Sequence, residues 1–351
     1  MHSRLIADGY VQSLADSCLY VKVLEDSGDK VILIVWVDDI AVGARSDKIM
    51  SRVKRRLCNE FSMRDLGQIS WFLGVQFTFD GNKIVMDQSR YAEQLIDRNG
   101  LSDCKPRSTP YELNVSKVSE NDGEILDDPL KFRSIVGGLI YLMITTRPDL
   151  CFIVTKLSQF MSHPTATHMT MCKHVLRYLK GTKNFSLVFQ KSEHPVKLIG
   201  YSDADWGSSQ DRRSMSGYSF KLSDASSPIS WKTKKQATVA LSTCEAEYMA
   251  LAATVQEAKF LSQLLTDMSR DKVHKTLIHV DSQSAISLAN NPIQHQRSKH
   301  IDIRYHYIRS EIQNNHVDLK YISTEDNVAD IFTKPVPAPR LQKFVKQILK
   351  T

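Results

Sequence analysis

Four carboxylates in the C-terminal half of the chain constrain its fold most strongly, because each is expected near the boundary of a secondary-structure element. They are Asp203, Glu247, Asp281 and Asp330. Asp203 follows a strand-like run at 197–202, and Asp281 follows a second run at 277–280 that leads directly into a helix-like sequence. If the two strands are parallel neighbours, their carboxyl ends bring both aspartates together. The pattern predicts an α/β fold in which helices carry Glu247 and Asp330 to the same edge of a sheet.

Carboxylates gathered in this way favour a site for hard divalent cations. Mg²⁺ prefers carboxylate oxygens and keeps several waters, so acids rather than His or Cys are its expected ligands. Two such ions about 3.5–4 Å apart can activate a water and stabilise the leaving oxygen of an in-line phosphodiester displacement. A single aspartate after a strand is more often a turn or cap residue. The prediction therefore depends on four acids acting together.

The helix that follows Leu241 offers two glutamates for this site. Ser242 to Glu245 fits a capping box, in which the serine accepts an amide hydrogen bond and Glu245 reaches back to the helix start. Glu247 lies at the N-terminal border of the buried stripe instead. The stripe consists of Tyr248, Leu251, Ala252 and Val255. We therefore assign a capping role to Glu245 and the metal to Glu247.

Composition places the chain among intracellular proteins with substantial cores. Its 351 residues suggest two to three domains, and 42% of them are hydrophobic. No apolar run is long enough to span a bilayer, so we expect no membrane contact and a cytoplasmic or nuclear location. The six cysteines form no C-x-x-C pair and are expected to be reduced. They are Cys18, Cys58, Cys104, Cys151, Cys172 and Cys244.

Two groups of basic residues are candidates for contact with a nucleic-acid backbone. The net charge is +7, and residues 151–200 contain seven Lys or Arg against one acid. Lys173, Arg177 and Lys180 share one face of a helix that Gly181 is expected to end, which predicts a phosphate-binding stripe; the alternative is an ordinary solvated face. The second group follows a strand-like Ile229–Trp231 run. It consists of Lys232, Lys234 and Lys235.

Motifs around the four acids resemble a known family. They are Tyr201–Gly207, Ser242–Leu251, Val280–Ala285 and Asp326–Pro335, with Lys299–Arg309 in support. In order and spacing these segments resemble the ribonuclease H domain of copia-type retrotransposon Pol polyproteins. The resemblance implies an α/β (α+β) fold, with a mixed five-stranded sheet and helices, and metal-ligand roles for the four acids named above. It also implies two Mg²⁺ ions, with Mn²⁺ as an alternative, and endonucleolytic hydrolysis of RNA in an RNA–DNA hybrid.

The resemblance continues upstream. Val35–Ile40 resembles the paired-aspartate turn of reverse transcriptase palms, with Asp38 and Asp39 as the acids. Residues 141–150 and 176–182 resemble the connection between polymerase and nuclease. The family's polymerase uses a third aspartate on an upstream strand, and only 37 residues precede Asp38. We therefore expect an incomplete polymerase portion that is inactive alone, and the candidate partners that could complete it are the N-terminal Pol region and another Pol chain.

These observations predict five regions. Residues 1–100 form a partial reverse transcriptase palm and thumb, 101–128 a linker, 129–195 the connection, 196–340 the ribonuclease H domain, and 341–351 a C-terminal helix or tail. Within the nuclease we expect strands at about 197–203, 216–222, 228–232 and 317–322, one strand ending at Asp281, and a helix at 300–314.

Histidine catalysis is not expected. Many ribonucleases H carry a histidine in the loop before the last acidic helix, whereas this chain has none at 323–327. His300 and His306 precede the final strand and are expected to pack or to contact nucleic acid. The rival interpretation of the whole chain is a non-catalytic retrotransposon remnant that only binds nucleic acid.

Overall fold

The polypeptide folds into two units, each with its own hydrophobic core. The computed structural model describes residues 1–192, 195–270, 275–290 and 299–350, with the backbone alone for 299–305. One unit consists of Met1–Ser70 and Glu257–His274, and the other of Trp71–Gln256 and Lys275–Thr351. Among the described helices, none combines the length and the apolar character that crossing a bilayer requires.

The first unit is built on a four-stranded antiparallel sheet of order β1-β2-β3-β4. Its elements are α1 (His2–Ala7), β1 (Val11–Gln12), β2 (Leu19–Val23), β3 (Lys30–Trp36), β4 (Asp39–Ala44) and α2 (Asp47–Glu60). Val31 and Leu33 alternate toward one face of the sheet, as strand geometry requires, and share a core with α2. The helix contributes Ile49, Val53 and Leu57, one residue per turn on a single face.

The second unit begins with a sheet and a helical core. The sheet, of order β5-β6-β7-β8, consists of β5 (Trp71–Phe72), β6 (Val75–Asp80), β7 (Lys83–Asp87) and β8 (Leu187–Gln190). The helices are α3 (Ser89–Arg98), α4 (Pro129–Thr145), α5 (Cys151–Ser158) and α6 (Ala166–Gly181). Residues 101–128, which the sequence predicts to be a linker, contain little regular structure, yet they bury Tyr111 and Val115 in the helical core.

A buried ion pair lies just before α5 and is hydrogen-bonded to the end of α6 and to the residue that follows it. Arg147 and Asp149 are almost fully inaccessible, and two hydrogen bonds of 2.9 and 2.6 Å connect the guanidinium to the carboxylate. The Tyr178 hydroxyl donates to the same carboxylate at 2.8 Å, and Arg147 Nη1 donates to the Thr182 carbonyl at 3.0 Å. Both charges are therefore compensated within the core, which is the condition for tolerating them there.

The sheet that carries the candidate site has five strands in the order β11-β10-β9-β12-β13. The remaining elements are β9 (Ile199–Asp205), β10 (Met215–Lys221), β11 (Ser230–Lys235), α7 (Thr243–Ser269), β12 (Thr276–Val280), α8 (Gln283–Asn290), α9 (Lys299–Gln313), β13 (Val317–Tyr321), a 3₁₀ helix (Val328–Phe332) and α10 (Ala338–Ile348). β9, β10 and β11 are antiparallel, whereas β12 runs parallel to both β9 and β13. The predicted ribonuclease H-like fold with a mixed five-stranded sheet is confirmed, and so is the parallel pairing of the two aspartate-bearing strands.

Both faces of this sheet are covered closely because small residues stand at the contacts. On one face Ala204 packs against Ala246 and Ala250 of α7. On the other face the 3₁₀ helix lies over Gly217 of β10, where an added Cβ would approach the Cβ of Phe332 to 2.7 Å. The absence of a side chain at Gly217 therefore lets the segment that carries Asp330 lie directly on the sheet.

We expect Asp149→Asn to lower the free energy of unfolding of the second unit by about 3–5 kcal/mol, because it leaves the Arg147 guanidinium buried without a countercharge. Denaturant unfolding monitored by circular dichroism measures the loss. Lys183→Gln is the matched control, since its pair with Glu93 is exposed and is worth about 0–1 kcal/mol. Equal midpoints for the two variants would contradict a structural role of the buried pair.

Candidate metal centre

Three of the four predicted acids converge at one edge of the five-stranded sheet. Ser202 pairs with Val280 at the end of the parallel ladder, so Asp203 and Asp281 come next to each other just beyond it. Asp203 is still part of β9 and pairs with Gly217 of β10, whereas Asp281 directly follows β12. Glu247 reaches them from the second turn of α7. One carboxylate oxygen from each of these three acids lies within 4.8 Å of the other two. The arrangement offers converging hard ligands and can hold a divalent metal ion.

Glu245 and Glu247, both near the start of α7, have different surroundings. Ser242 Oγ accepts a hydrogen bond from the Glu245 amide at 3.2 Å, and Glu245 Oε2 accepts one from the Leu241 amide at 2.8 Å. Glu245 thus caps the helix start through the residue before Ser242, one position earlier than the N-cap amide that a capping box engages. Two residues later, Glu247 has turned toward the sheet edge, beside the backbone of Ala204.

Burial and like charges make this centre electrostatically unfavourable without a cation. Burial, followed by the charges of Asp203 and Asp281, raises the pKa of Glu247 well above its ordinary value. Burial and Asp203 likewise raise the pKa of Asp281. Glu247 Oε2 is buried without a hydrogen-bond partner, and Asp281 Oδ2 accepts from the Thr324 hydroxyl at 2.8 Å. An unsatisfied buried carboxylate oxygen that faces two more acids fits a metal ligand.

The fourth acid, Asp330, lies outside the group of three and contacts cations instead. It is fully buried in the 3₁₀ helix, which Asn327 starts by accepting a hydrogen bond from the Ala329 amide. Its Oδ1 is 2.9 Å from the ammonium of Lys334, and its Oδ2 accepts from the guanidinium of Arg340.

Lys334 also approaches Asp203, which belongs to the group of three acids. Its Nζ is 3.5 Å from Asp203 Oδ2, and the same oxygen accepts a hydrogen bond from the Thr333 hydroxyl. Burial acts against the charged ammonium, but Asp203 and Asp330 outweigh it and raise the pKa of Lys334. Sequence reasoning missed this lysine, although its spacing of four residues from Asp330 is typical of an ion pair on one helical face.

Comparisons with known proteins agree with this architecture. Residues 1–113 match the family described as reverse transcriptase (RNA-dependent DNA polymerase). The retrovirus-related Pol polyprotein from transposon RE1 of Arabidopsis thaliana is 36% identical over 349 residues, which are 99% of this chain and 23% of that polyprotein. A putative transposon Ty5-1 protein of Saccharomyces cerevisiae is 32% identical over 252 residues, which are 71% of this chain and 80% of that protein. The chain belongs to the copia-type retrotransposon Pol family.

A solved structure extends the likeness to the fold. The foamy viral protease-reverse transcriptase dRH in complex with double-stranded DNA has a TM-score of 0.52 and 11% identity, and the match covers 86% of this chain and 47% of that one. This copia-type chain spans about a quarter of the RE1 polyprotein that it matches.

The paired aspartates of the copia-type chain lie in the first unit. Trp36 pairs with Asp39, so Val37 and Asp38 form the two-residue connection between β3 and β4. Val37 has a φ of 50°, which is costly for a β-branched residue. Asp38 and Asp39 are both exposed. The sequence position predicted as a palm turn is therefore a tight hairpin that presents two carboxylates to solvent.

The first basic group divides according to its contacts within the chain. Arg177 Nε donates to the Lys105 carbonyl at 2.8 Å, and Lys180 Nζ donates to the Cys104 carbonyl at 2.7 Å. These two side chains hold the segment that follows α3 against α6. Lys173 is exposed, and no hydrogen bond or ion pair in the described part of the chain involves it. Phosphate contact by this group remains a prediction, and its most accessible member is Lys173.

The second basic group lies on β11, an edge strand. Lys232 and Lys234 are exposed and point to the same side, as residues two apart on a strand do. Lys235 Nζ is 2.9 Å from Asp211 Oδ2 and is partly covered. Lys232 and Lys234 therefore offer free charge on the described surface, whereas the charge of Lys235 is paired.

Of the two histidines predicted to pack or to contact nucleic acid, the structure describes the side chain of one. His306 is an exposed residue of α9, and the side chain of His300 lies outside the described residues. The loop at 323–327 contributes Thr324 to Asp281 and Asp326 to an ion pair with Lys343.

We expect Glu247→Gln to raise the melting temperature of the metal-free protein, and to raise it more at pH 8 than at pH 5. The folded-state pKa of Glu247 is raised, so the unfolded chain ionises first and wild-type stability falls as pH increases from the ordinary glutamate range toward the folded-state pKa. Glutamine removes that loss. Thermal melts in chelator across this pH range provide the measurement.

Glu245→Gln is the control for this experiment, because it lies in the same helix and its carboxylate faces the Leu241 amide rather than other acids. Its effect should not grow with pH. Melting curves of wild type and Glu247→Gln that run parallel from pH 5 to pH 8 would show that Glu247 is not destabilised by its neighbours.

Proposed function

We propose that the chain hydrolyses the RNA strand of RNA–DNA hybrids in a metal-dependent reaction at the Asp203, Glu247 and Asp281 centre. The observation that carries the proposal is the convergence of three carboxylates within 4.8 Å at the edge of a ribonuclease H-like sheet. Membership of the copia-type Pol family supports a nucleic-acid substrate. We also propose that the chain is organised into the five regions predicted from its sequence, with the nuclease at residues 196–340.

The four acids have two roles in the proposed reaction, each as a ligand of one of two cations. Asp203, Glu247 and Asp281 would hold a divalent cation, Mg²⁺ or Mn²⁺, and Asp330 would contribute to a second one. A bound ion of this kind lowers the pKa of a coordinated water and stabilises the negative charge that develops on the scissile phosphate in the transition state. Thr324 orients the Asp281 carboxylate, and Thr333 orients that of Asp203. Holding these oxygens rigidly is the contribution that the protein itself makes to positioning.

Hybrid rather than DNA duplex is the proposed substrate because RNA presents 2′-hydroxyls in a wide, shallow minor groove. Contacts to phosphates supply affinity without sequence preference, and exposed lysines are suited to that role. Lys232 and Lys234 on the edge strand are the strongest candidates, and Lys173 on α6 is a further one. The expected products are 5′-phosphate and 3′-hydroxyl ends.

We expect Asp281→Asn to abolish cleavage of a labelled RNA strand in a hybrid while the melting temperature in chelator stays the same or rises. Asparagine keeps the size and can still accept from Thr324, but it loses the charge that a cation requires. It also relieves repulsion from Asp203 and Glu247. A residue that only capped the structure would instead lose about 0.5–2 kcal/mol.

Asp326→Asn is the matched control, because Asp326 lies in the neighbouring loop and pairs with Lys343 at the surface. That variant should cleave normally. Normal cleavage by Asp281→Asn would refute the site assignment, and a folded wild type that binds hybrid but cuts in neither Mg²⁺ nor Mn²⁺ would establish the non-catalytic alternative.

We expect the double variant Lys232→Gln, Lys234→Gln to reduce the log–log salt slope of hybrid binding by about 2, because each lost phosphate contact releases about one fewer counterion. Fluorescence anisotropy at several salt concentrations measures the slope. Lys235→Gln is the control, since its ammonium is already paired with Asp211, and its slope should change by less than about 1. An unchanged slope in the double variant would remove β11 from the binding surface.

A further inference from the structure

The negative charge of the acidic cluster is compensated on one side only. Both oxygens of Asp330 contact a cation, and Asp203 shares one of those cations. Among the described residues, Glu247 and Asp281 contact no ammonium or guanidinium. The carboxylates without a contacting cation are therefore Glu247 and Asp281, whereas the position between Asp203 and Asp330 already contains a positive charge.

That positive charge is the Lys334 ammonium, which stands where two carboxylates face each other. It is 2.9 Å from Asp330 Oδ1 and 3.5 Å from Asp203 Oδ2. A cation that bridged these two acids would lie between the same pair of carboxylates. The lysine and a divalent ion thus compete for one position.

Lys334 contacts the two carboxylates, whereas the other cation on Asp330, Arg340, has additional partners. The Lys334 side chain is 28% exposed, so its flexible stem has a path to solvent. Arg340 binds the other oxygen of Asp330, donates to the Thr324 carbonyl as well, and lies over the Phe344 ring at 5.4 Å. Departure of the lysine would therefore leave Asp330 in place, still held by Arg340.

We propose that Lys334 is a built-in occupant of the second cation position. The chain then binds one divalent ion tightly at Asp203, Glu247 and Asp281, and admits a second between Asp203 and Asp330 only when Lys334 moves out. This inference rests on the metal centre of the proposed function and deepens it, because it makes Lys334 a positioning residue that sets the order in which the two ions bind.

Metal titration of the full chain without nucleic acid tests the proposal directly. In calorimetry with Mn²⁺ the wild type should bind one ion, with a second at least about tenfold weaker. Lys334→Gln should bring the second ion into the measurable range, and Lys334→Arg, which keeps the charge, should not. In the Lys334→Gln protein two Mn²⁺ ions about 4 Å apart should also give an exchange-coupled electron paramagnetic resonance spectrum.

Two further variants separate a local effect from a general change in charge. Lys343→Gln removes the same charge from a lysine that contacts Asp326 instead of the cluster, and should leave the isotherm unchanged. Asp330→Asn should leave the first ion bound with an affinity within about threefold of the wild type, because the three other acids hold it. Thermal melts verify that each variant is folded.

The outcomes distinguish this inference from the function on which it rests. A wild type that binds two ions with similar affinity, an unchanged isotherm in Lys334→Gln, or loss of the first ion in Asp330→Asn would each overturn the role of Lys334 and leave the nuclease proposal standing. A folded wild type that binds no Mn²⁺ would instead contradict the metal centre itself.

Discussion

The parallel pairing of β9 with β12 is the interaction on which the site depends. Its ladder ends with Ser202 opposite Val280, and this register places the next residues, Asp203 and Asp281, at one edge. Two carboxylates would not approach each other in water, so the backbone hydrogen bonds and the buried side chains of β12 must hold them there. Ile278 and Val280 are fully buried and supply that hold. The fold therefore stores repulsion that a cation can relieve.

Close packing on both faces of the sheet completes the arrangement. Small residues in α7 and in β9 let the helix approach until Glu247 reaches the sheet edge. Opposite them, Gly217 lets the 3₁₀ helix settle on β10, and Asn327 ties that helix to the Ser202 carbonyl at 3.0 Å. The convergence of the acids thus depends on residues without reactive side chains, because a larger side chain at either contact would displace an acid.

Charge is distributed unevenly around the acids, and this unevenness gives them different roles. Lys334 and Arg340 contact Asp330, whereas no ammonium or guanidinium of the described residues contacts Glu247. Similar acids in one cluster therefore differ in their readiness to bind a cation, as environments rather than residue types decide such differences. The buried Arg147 and Asp149 pair in the helical core illustrates the opposite case, since each charge there is fully satisfied by its neighbours.

The amino-acid sequence alone was enough to predict the strand that carries Asp203, the strand that ends just before Asp281, the capping role of Glu245 and the copia-type family, because periodicity, capping patterns and motif spacing are local properties of the chain. It could not determine that Arg177 and Lys180 bind the carbonyls of Lys105 and Cys104, since a helical face does not reveal which distant segment covers it. Nor could it separate Asp330 from the other three acids. That difference arises only in the folded chain, because it depends on Lys334 and Arg340 meeting Asp330 in a buried space where each contact changes the balance of charge.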